Sequence, residues 1–146
     1  MTNHGKIMLQ CSLCGTVVRE NSLLWRCVCG APLLADFSGT PPMDRSRICP
    51  AEQGMWRYAS SLPLEKPEEK VSFGEGWTPL VREEWNGMNL FLKLDYACPT
   101  GSYKDRGMAY LVSRLRDQGI SEVIEDSSGN AGASMAAYCA RAGIRC

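Results

Sequence analysis

The chain has 146 residues, and its 16 basic and 16 acidic side chains give a formal net charge of zero. This balance excludes the basic surface that is typical of proteins binding nucleic acid or anionic membranes. The apolar content of 45% is ordinary for a globular protein, and no apolar run is long enough to span a membrane. The first residues do not resemble a signal peptide, so we expect a cytoplasmic protein. The length predicts one domain and an appendage.

Four of the eight cysteines form two closely spaced pairs, and a glycine follows each pair. They are Cys11, Cys14, Cys27 and Cys29. The segment around and between the pairs predicts two short strands, over residues 17–18 and 23–26. This layout predicts a zinc-ribbon-like module over residues 1–36, in which four thiolates close the shell of a structural zinc ion. The second pair is C-x-C and not C-x-x-C, so a redox pair or unrelated free thiols stay open as alternatives.

The remaining sequence features divide the rest of the chain. The other cysteines lack the spacing of metal ligands, and Cys139 is predicted to pack as a small apolar side chain in a helix. His4 lies in a polar N-terminal tail that is predicted to be disordered. Residues 37–70 are rich in proline and predict an irregular connector with one helical turn near Gly54–Ser61. Residues 71–146 predict the beginning of an α/β domain.

The run CPTGSYKDRG at residues 98–107 places Lys104 behind a turn and at the start of a predicted helix. Ser102 is predicted to cap that helix. The helix would bury one apolar face, formed by Met108, Leu111, Val112 and Leu115. The positive end of a helix dipole disfavours an ammonium group, so this position favours the neutral, nucleophilic amine and Schiff-base chemistry with an aldehyde. The alternative is an ordinary solvated lysine at a helix end.

A second loop has the same organisation. Residues 122–126 predict a short strand, the run SSGN at residues 127–130 a polar turn, and residues 131–143 an alanine-rich helix. The free N–H groups at such a helix start bind anions, and a substrate carboxylate would suit them. An ordinary helix cap is the alternative.

Both loops follow a predicted strand and precede a predicted helix; for the first loop, the strand is the apolar run at residues 90–94. We therefore expect the two loops to open at one edge of a parallel sheet, which is where open α/β sheets bind ligands.

Three motifs resemble, in order and spacing, those of the threonine synthases, which are pyridoxal-phosphate enzymes of the tryptophan-synthase-β fold type (fold type II). The motifs are GEGWTPL at residues 74–80, the run at residues 99–107, and residues 127–134. The GMWRY stretch at residues 54–58 and the N-terminal cysteine pairs are similar to the same family. The chain departs from the family pattern at Cys98, where Asn is common, and at Trp77, where Gly is common.

The resemblance implies a role for individual residues. Lys104 would form the covalent link to pyridoxal phosphate, and Asn130 would hydrogen-bond the phenolic oxygen of the cofactor. Ser127, Ser128 and Gly129 would help to hold the carboxylate of a small amino-acid substrate. The implied reaction, in which Lys104 also carries protons, is that of a lyase in threonine biosynthesis: O-phosphohomoserine and water give threonine and phosphate.

The family's enzymes are at least about twice as long as this chain, with two α/β lobes around the cofactor. The glycine-rich loop that holds the cofactor phosphate has no counterpart here. The resemblance therefore implies that residues 71–146 are an incomplete N-terminal portion of the catalytic domain, with little activity alone. Two alternatives stay open: another enzyme of the same fold type, such as a cysteate synthase or an amino-acid ammonia-lyase, and a non-catalytic zinc-ribbon interaction module. Formation of a homo-oligomer also stays open.

Overall fold

The computed structural model describes residues 7–19 and 24–146, so the prediction made for His4 lies outside the described residues. The described chain divides into two compact units. One unit takes the described part of Met1–Ile48 together with Tyr58–Glu68, and the other takes Cys49–Arg57 and Glu69–Cys146. The domain limits that the sequence suggests at residues 36 and 70 stay predictions. The mixture of strands and helices confirms the α/β class.

The first unit contains a three-stranded antiparallel sheet in the order β2-β1-β3. Its strands are β1 (Met8–Cys11), β2 (Val17–Arg19) and β3 (Leu33–Asp36). In the centre of the sheet, Leu9 lies opposite Val18 on one side and Ala35 on the other.

The prediction of a strand at residues 17–18 is confirmed, but the prediction of a strand at residues 23–26 is wrong for its described part. Arg26 forms a single bridge with Pro32, and Trp25 is 71% exposed. β2 pairs instead with β1, and β3 pairs with the other side of β1; neither β1 nor β3 was predicted from the sequence. Strands of three or four residues are too short for an alternating pattern to stand out, so their pairing depends on contacts distant in sequence.

The second unit contains an antiparallel hairpin of β4 (Leu80–Trp85) and β5 (Met88–Lys93). Asn86 and Gly87 connect the strands, and both have positive φ angles, of 50° and 76°. This pair is the strongest short-range signal for a two-residue hairpin, and the sequence reading overlooked it. The apolar run at residues 90–94 therefore belongs largely to an antiparallel pair, and its assignment to a parallel sheet is wrong.

Two helices follow, α1 (Lys104–Asp117) and α2 (Asn130–Ala142), and they pack against each other. Both begin within one residue of the predicted position. Gly143 ends α2 in the left-handed conformation with φ of 73°, which glycine adopts without the steric cost of a Cβ atom. Cys139 is fully buried in α2, which confirms its predicted role as a small apolar side chain.

The buried face of α1 matches the predicted one only in part, since Val112 is buried as predicted. Leu111 is 40% exposed, whereas Asp105, Ala109, Val112 and Ser113 are buried. The polar members can be buried because they are hydrogen-bonded: the Ser113 hydroxyl donates to the Ala109 carbonyl and accepts the N–H of Val71. A pattern that counts only apolar residues misplaces such a face.

The strand predicted at residues 122–126 is also wrong within the described chain. Only Glu122 is paired, through a parallel bridge to Arg145, and Ile124 is 95% exposed. A strand requires a paired neighbour, and among the described residues the backbone hydrogen bond between this segment and the rest of the chain is the one to Arg145.

Four short 3₁₀ segments complete the regular structure: Arg45–Arg47, Gly54–Ser61, Pro67–Glu69 and Asp95–Ala97. The predicted helical turn near Gly54–Ser61 is thus confirmed, and its Trp56 is almost fully buried. Neither of the two described α-helices has the length and apolar character that crossing a membrane requires.

Candidate functional site

Lys104 is the first residue of α1, as the sequence predicts. The Ser102 hydroxyl accepts the backbone N–H of Lys104 at 3.3 Å, so the predicted capping bond is present. Ser102 makes this bond from one residue before the cap position, where Tyr103 forms no side-chain hydrogen bond to the helix. The Lys104 side chain is half-buried, and its Nζ lies 4.7 Å from the centre of the Tyr103 ring. The side chain is therefore partly exposed while its backbone is held.

The residue after the lysine, Asp105, is completely buried. Its carboxylate accepts the backbone N–H of Thr100 at 2.7 Å, the Thr100 hydroxyl, and the Ser134 hydroxyl at 2.6 Å. The first two bonds fold the loop before Lys104 back onto α1, and the third joins α1 to α2. Sequence reasoning missed Asp105, because an acidic residue in the first turn of a helix is usually a solvated partner of the helix dipole.

Arg106 connects the lysine run to the GEGWTPL motif. Its Nη2 lies 2.9 Å from Oδ1 of Asp95, and the Thr78 hydroxyl donates to the same oxygen at 2.7 Å. Arg106, followed by Thr78, holds the pKa of the Asp95 carboxyl below its usual range. The Lys93 ammonium donates to the Thr78 carbonyl. Two of the three motifs recognised in the sequence thus meet at Asp95.

Glu75, in the same GEGWTPL motif, is fully buried and joins that motif to α2. Its carboxylate accepts four hydrogen bonds, from Trp56 Nε1 at 2.5 Å, the Ser72 hydroxyl at 3.0 Å, the Phe73 N–H at 2.8 Å and the Tyr138 hydroxyl at 2.7 Å. Burial and the bond to Glu75 raise the pKa of Tyr138 far above its ordinary value, so the phenol stays neutral and donates. Sequence reasoning named the motif and gave Glu75 no role.

The polar turn before α2 is exposed, including Ser127, Ser128, Gly129 and Asn130. Gly129 occupies the cap position without a side-chain bond, and Asn130 is the first helical residue. The Ser127 hydroxyl accepts the Gly129 N–H at 3.2 Å and keeps its own proton available for a ligand. The hydrogen bond between Ser134 and Asp105 joins α2 to α1 close to the start of both helices. Asp105 follows Lys104 directly, and Ser134 lies one helical turn after Asn130.

These residues fit the functional groups of pyridoxal phosphate and of an amino acid. The amine of the partly exposed Lys104 suits an aldehyde, and the exposed N-terminus of α2 offers N–H, hydroxyl and amide donors to anionic oxygen atoms. The hydrogen bonds of Asp105 fix the backbone beside both groups.

The four predicted metal ligands lie together. The sulfur atoms of Cys11, Cys14, Cys27 and Cys29 are all within 4.8 Å of one another. Two of the separations are 3.5 Å, for Cys11 and Cys29, and 3.7 Å, for Cys14 and Cys27. Four sulfur atoms about 2.3 Å from a tetrahedral zinc ion would be roughly 3.8 Å apart, so the cluster has the dimensions of such a site.

The surroundings favour the thiolate form at two of the four sulfur atoms, Cys11 and Cys14. The backbone N–H groups of Cys14 and Leu13 both point at Cys11 Sγ and lower the pKa of that thiol. A hydrogen bond from the Thr16 hydroxyl lowers the pKa of Cys14 to about 6. At Cys29 the Ala31 N–H has the same effect, but the neighbouring thiols and burial outweigh it and raise the pKa to about 11. Since the thiolate is the metal-binding form, the cluster suits a cation.

Comparison with known proteins agrees with this geometry. Residues 71–146, which include both loops, match the family described as pyridoxal-phosphate dependent enzyme. The chain belongs to this family. It is 37% identical to the threonine synthase of Methanocaldococcus jannaschii over 148 residues, which cover 95% of this chain and 36% of that protein.

Two further relatives are also threonine synthases. That of Methanosarcina acetivorans is 33% identical over 144 residues, covering 93% of this chain and 35% of that protein. That of Halalkalibacterium halodurans is 42% identical over 94 residues, covering 61% of this chain and 26% of that protein. The chain thus spans about a third or less of the length of these relatives. No solved structure matches the chain.

Proposed function

We propose that this chain carries the lysine-bearing part of a pyridoxal-phosphate lyase of the threonine synthase type, with O-phosphohomoserine as the substrate. The observation that carries the proposal is the position of Lys104. This residue begins α1 with a partly exposed side chain, and the buried carboxylate of Asp105 joins the adjacent backbone to α2. The family membership and the threonine synthase relatives support it.

When bound, pyridoxal phosphate supplies an aldehyde that condenses with an amine with loss of water, and a conjugated ring that accepts electrons. Lys104 would provide the amine and, once released by the substrate, would hold and move a proton at Nζ. Asn130 would donate to the phenolic oxygen of the cofactor. The exposed turn of Ser127, Ser128 and Gly129 would bind the substrate carboxylate through backbone N–H and hydroxyl donors.

Reductive trapping tests the role of Lys104. The chain is incubated with pyridoxal phosphate and treated with borohydride, and the modified lysines are identified by peptide mass spectrometry. We expect Lys104 to be labelled at a lower cofactor concentration than the other lysines, and Lys104→Ala to remove that high-affinity label. Lys66→Ala, which alters an exposed lysine in the other unit, is the control and should leave it unchanged. Uniform labelling of all lysines would contradict the proposal.

The choice of substrate has its own test. O-phosphohomoserine should reduce the trapping of Lys104 at lower concentrations than homoserine, which lacks the phosphate, or serine. A phosphate-release assay on the same samples examines turnover. Stronger protection by serine, with release of ammonia and not phosphate, would instead favour an amino-acid ammonia-lyase.

We also propose that Cys11, Cys14, Cys27 and Cys29 bind one structural zinc ion as the centre of a zinc-ribbon-like module. The support is the sulfur separations of 3.5 and 3.7 Å and the N–H groups directed at Cys11. Four thiolates leave no open coordination position, so the metal would be structural and not catalytic.

Elemental analysis of the purified protein should find about one zinc per chain. Changing Cys11 and Cys14 to Ser should remove the metal, whereas changing the exposed Cys49 and Cys146, which lie outside the cluster, should not. Full zinc content in the Cys11/Cys14 variant would contradict the metal site and leave the proposal for Lys104 untouched.

A further inference from the structure

The buried carboxylate of Asp105 stands directly after the proposed nucleophile and belongs to none of the groups that would touch the cofactor. Burying an ionised carboxylate is costly unless its oxygen atoms are fully hydrogen-bonded. Asp105 meets this condition through the Thr100 N–H and hydroxyl and the Ser134 hydroxyl. A buried charge whose three donors lie on two segments, the loop at Thr100 and helix α2, fixes these segments relative to α1, because movement of either leaves the charge partly unsatisfied.

This anchor acts where the helix is otherwise weakest. The first turn of a helix has N–H groups without partners within the helix, and the cap residue of α1, Tyr103, contributes no side-chain bond. The backbone at Lys104 is held by the Ser102 hydroxyl on one side, at the long distance of 3.3 Å, and by Asp105 on the other. The bonds of Asp105 are shorter and involve a charge, so they are the stronger constraint.

The hydrogen bond from Ser134 determines which part of α2 lies next to the lysine loop. Ser134 is completely buried, and it lies one helical turn after Asn130 on the helix whose exposed N-terminus would face the cofactor and substrate. The bond of 2.6 Å from Ser134 to Asp105 therefore sets the distance between the turn that bears Lys104 and the turn that begins with Asn130.

Given the proposed role of Lys104, we propose that Asp105 and Ser134 are positioning residues that hold the Lys104 amine at the N-terminus of α2. They would touch neither cofactor nor substrate. Their effect is orientation: a reacting amine held in a productive geometry reacts much faster and more selectively than a mobile one.

The test compares two buried hydroxyls on the same helix pair. Ser134→Ala removes the bond to Asp105, whereas Ser113→Ala removes a buried hydroxyl that bonds Ala109 and Val71, away from the lysine. Both variants are treated with pyridoxal phosphate and borohydride, and the share of the label on Lys104 is measured. The visible circular dichroism of the bound cofactor, per unit of absorbance, reports how rigidly it is held.

We expect Ser134→Ala to lower the Lys104 share roughly tenfold and to weaken the circular dichroism, because a hydrogen bond to a buried charge is among the stronger ones. Ser113→Ala should resemble the wild type in both readouts, although both variants lose stability. Equal behaviour of the two variants, with selective labelling in the wild type, would overturn the positioning role and leave the proposed function standing. Unselective labelling of the wild type would overturn the proposed function first.

A second pair of variants decides the matter if Ser134→Ala does not fold. Thr100→Val removes the other hydroxyl that donates to Asp105, whereas Thr100→Ser keeps it. The inference requires lower labelling of Lys104 in Thr100→Val and its recovery in Thr100→Ser. Wild-type labelling in Thr100→Val would overturn it.

Discussion

Replacing Glu75 by Gln tests whether its buried carboxylate holds the second unit together. The substitution keeps the size and shape of the side chain and turns one acceptor oxygen into an NH₂ donor. Trp56 and Ser72 donate to Oε1, and Phe73 and Tyr138 donate to Oε2. A hydroxyl can turn away from a new donor, but the indole N–H and the backbone N–H cannot. Whichever oxygen is replaced, one of these two fixed N–H groups loses its acceptor.

The size of the effect follows from this count. A buried donor without a partner costs about 1–3 kcal/mol, and the bonds that remain weaken from charge-assisted to neutral ones by roughly a further 1 kcal/mol. We therefore expect Glu75→Gln to lower the free energy of unfolding by about 2–4 kcal/mol, a large part of the stability of a small domain. Tyr138→Phe removes a single donor and should cost less, about 1–2 kcal/mol.

Urea unfolding followed by the far-ultraviolet signal of the two helices measures these differences. The slope of the free energy against urea should stay unchanged, so that the shift in midpoint reports stability alone. Glu83→Gln makes the same chemical change on an exposed position of β4 and should stay within about 0.5 kcal/mol of the wild type. A Glu75→Gln variant as stable as Glu83→Gln would refute the reasoning about the buried donors.

Two further predictions concern backbone strain and pH. Trp77 has a φ of 50°, and the Arg57 guanidinium lies 4.8 Å from the centre of its ring. Trp77→Ala and Trp77→Gly both lose this contact, but only glycine avoids the strain of the left-handed backbone. Trp77→Gly should therefore be more stable than Trp77→Ala by about 0.5–1 kcal/mol in urea unfolding, the reverse of the usual order, and a more stable alanine variant would contradict this. Burial raises the pKa of the Cys139 thiol to about 11, so the stability that this group contributes is complete below about pH 8.5 and is lost as the pH rises to about 11. Urea midpoints measured from pH 8 to 11 should fall less steeply for Cys139→Ala than for the wild type, and parallel curves would argue against a role for this thiol.

The features that could be read from the sequence are those fixed by local chemistry. The starts of α1 and α2 follow from turns of small and polar residues before an apolar or alanine-rich run, and the structure begins both helices within one residue of the prediction. The cysteine spacing predicted a cluster that the structure brings to within 4.8 Å. The Asn86–Gly87 turn is an equally local signal, although no hairpin was predicted there.

The contacts that hold the site could not be read in this way. Tyr138 bonds Glu75 across 63 residues, and Ser134 bonds Asp105 across 29. In sequence, Glu75 and Asp105 lie among polar and glycine residues, where an acidic side chain is normally solvated. Asp105 is buried where α1 meets α2, and Glu75 is buried where α2 meets the segment around Trp56 and Phe73. These contacts join residues distant in sequence, so an apolar pattern within α1 alone does not predict its buried polar residues.

The two buried carboxylates show how a short chain can align two separate loops with one helix. A packed apolar contact tolerates small changes of angle, because it has no preferred direction and a neighbouring side chain can adjust. A buried carboxylate does not, since each misplaced donor leaves part of a charge unsatisfied at a cost of about 1–3 kcal/mol. Glu75 imposes this condition on the GEGWTPL motif, and Asp105 imposes it on the lysine loop; both bind α2. The position of α2 is therefore fixed by its hydrogen bonds to two buried carboxylates. A substitution that removes the hydroxyl of Ser134 or Tyr138 but keeps the apolar packing should change the geometry of the site more than the loss of one bond would suggest.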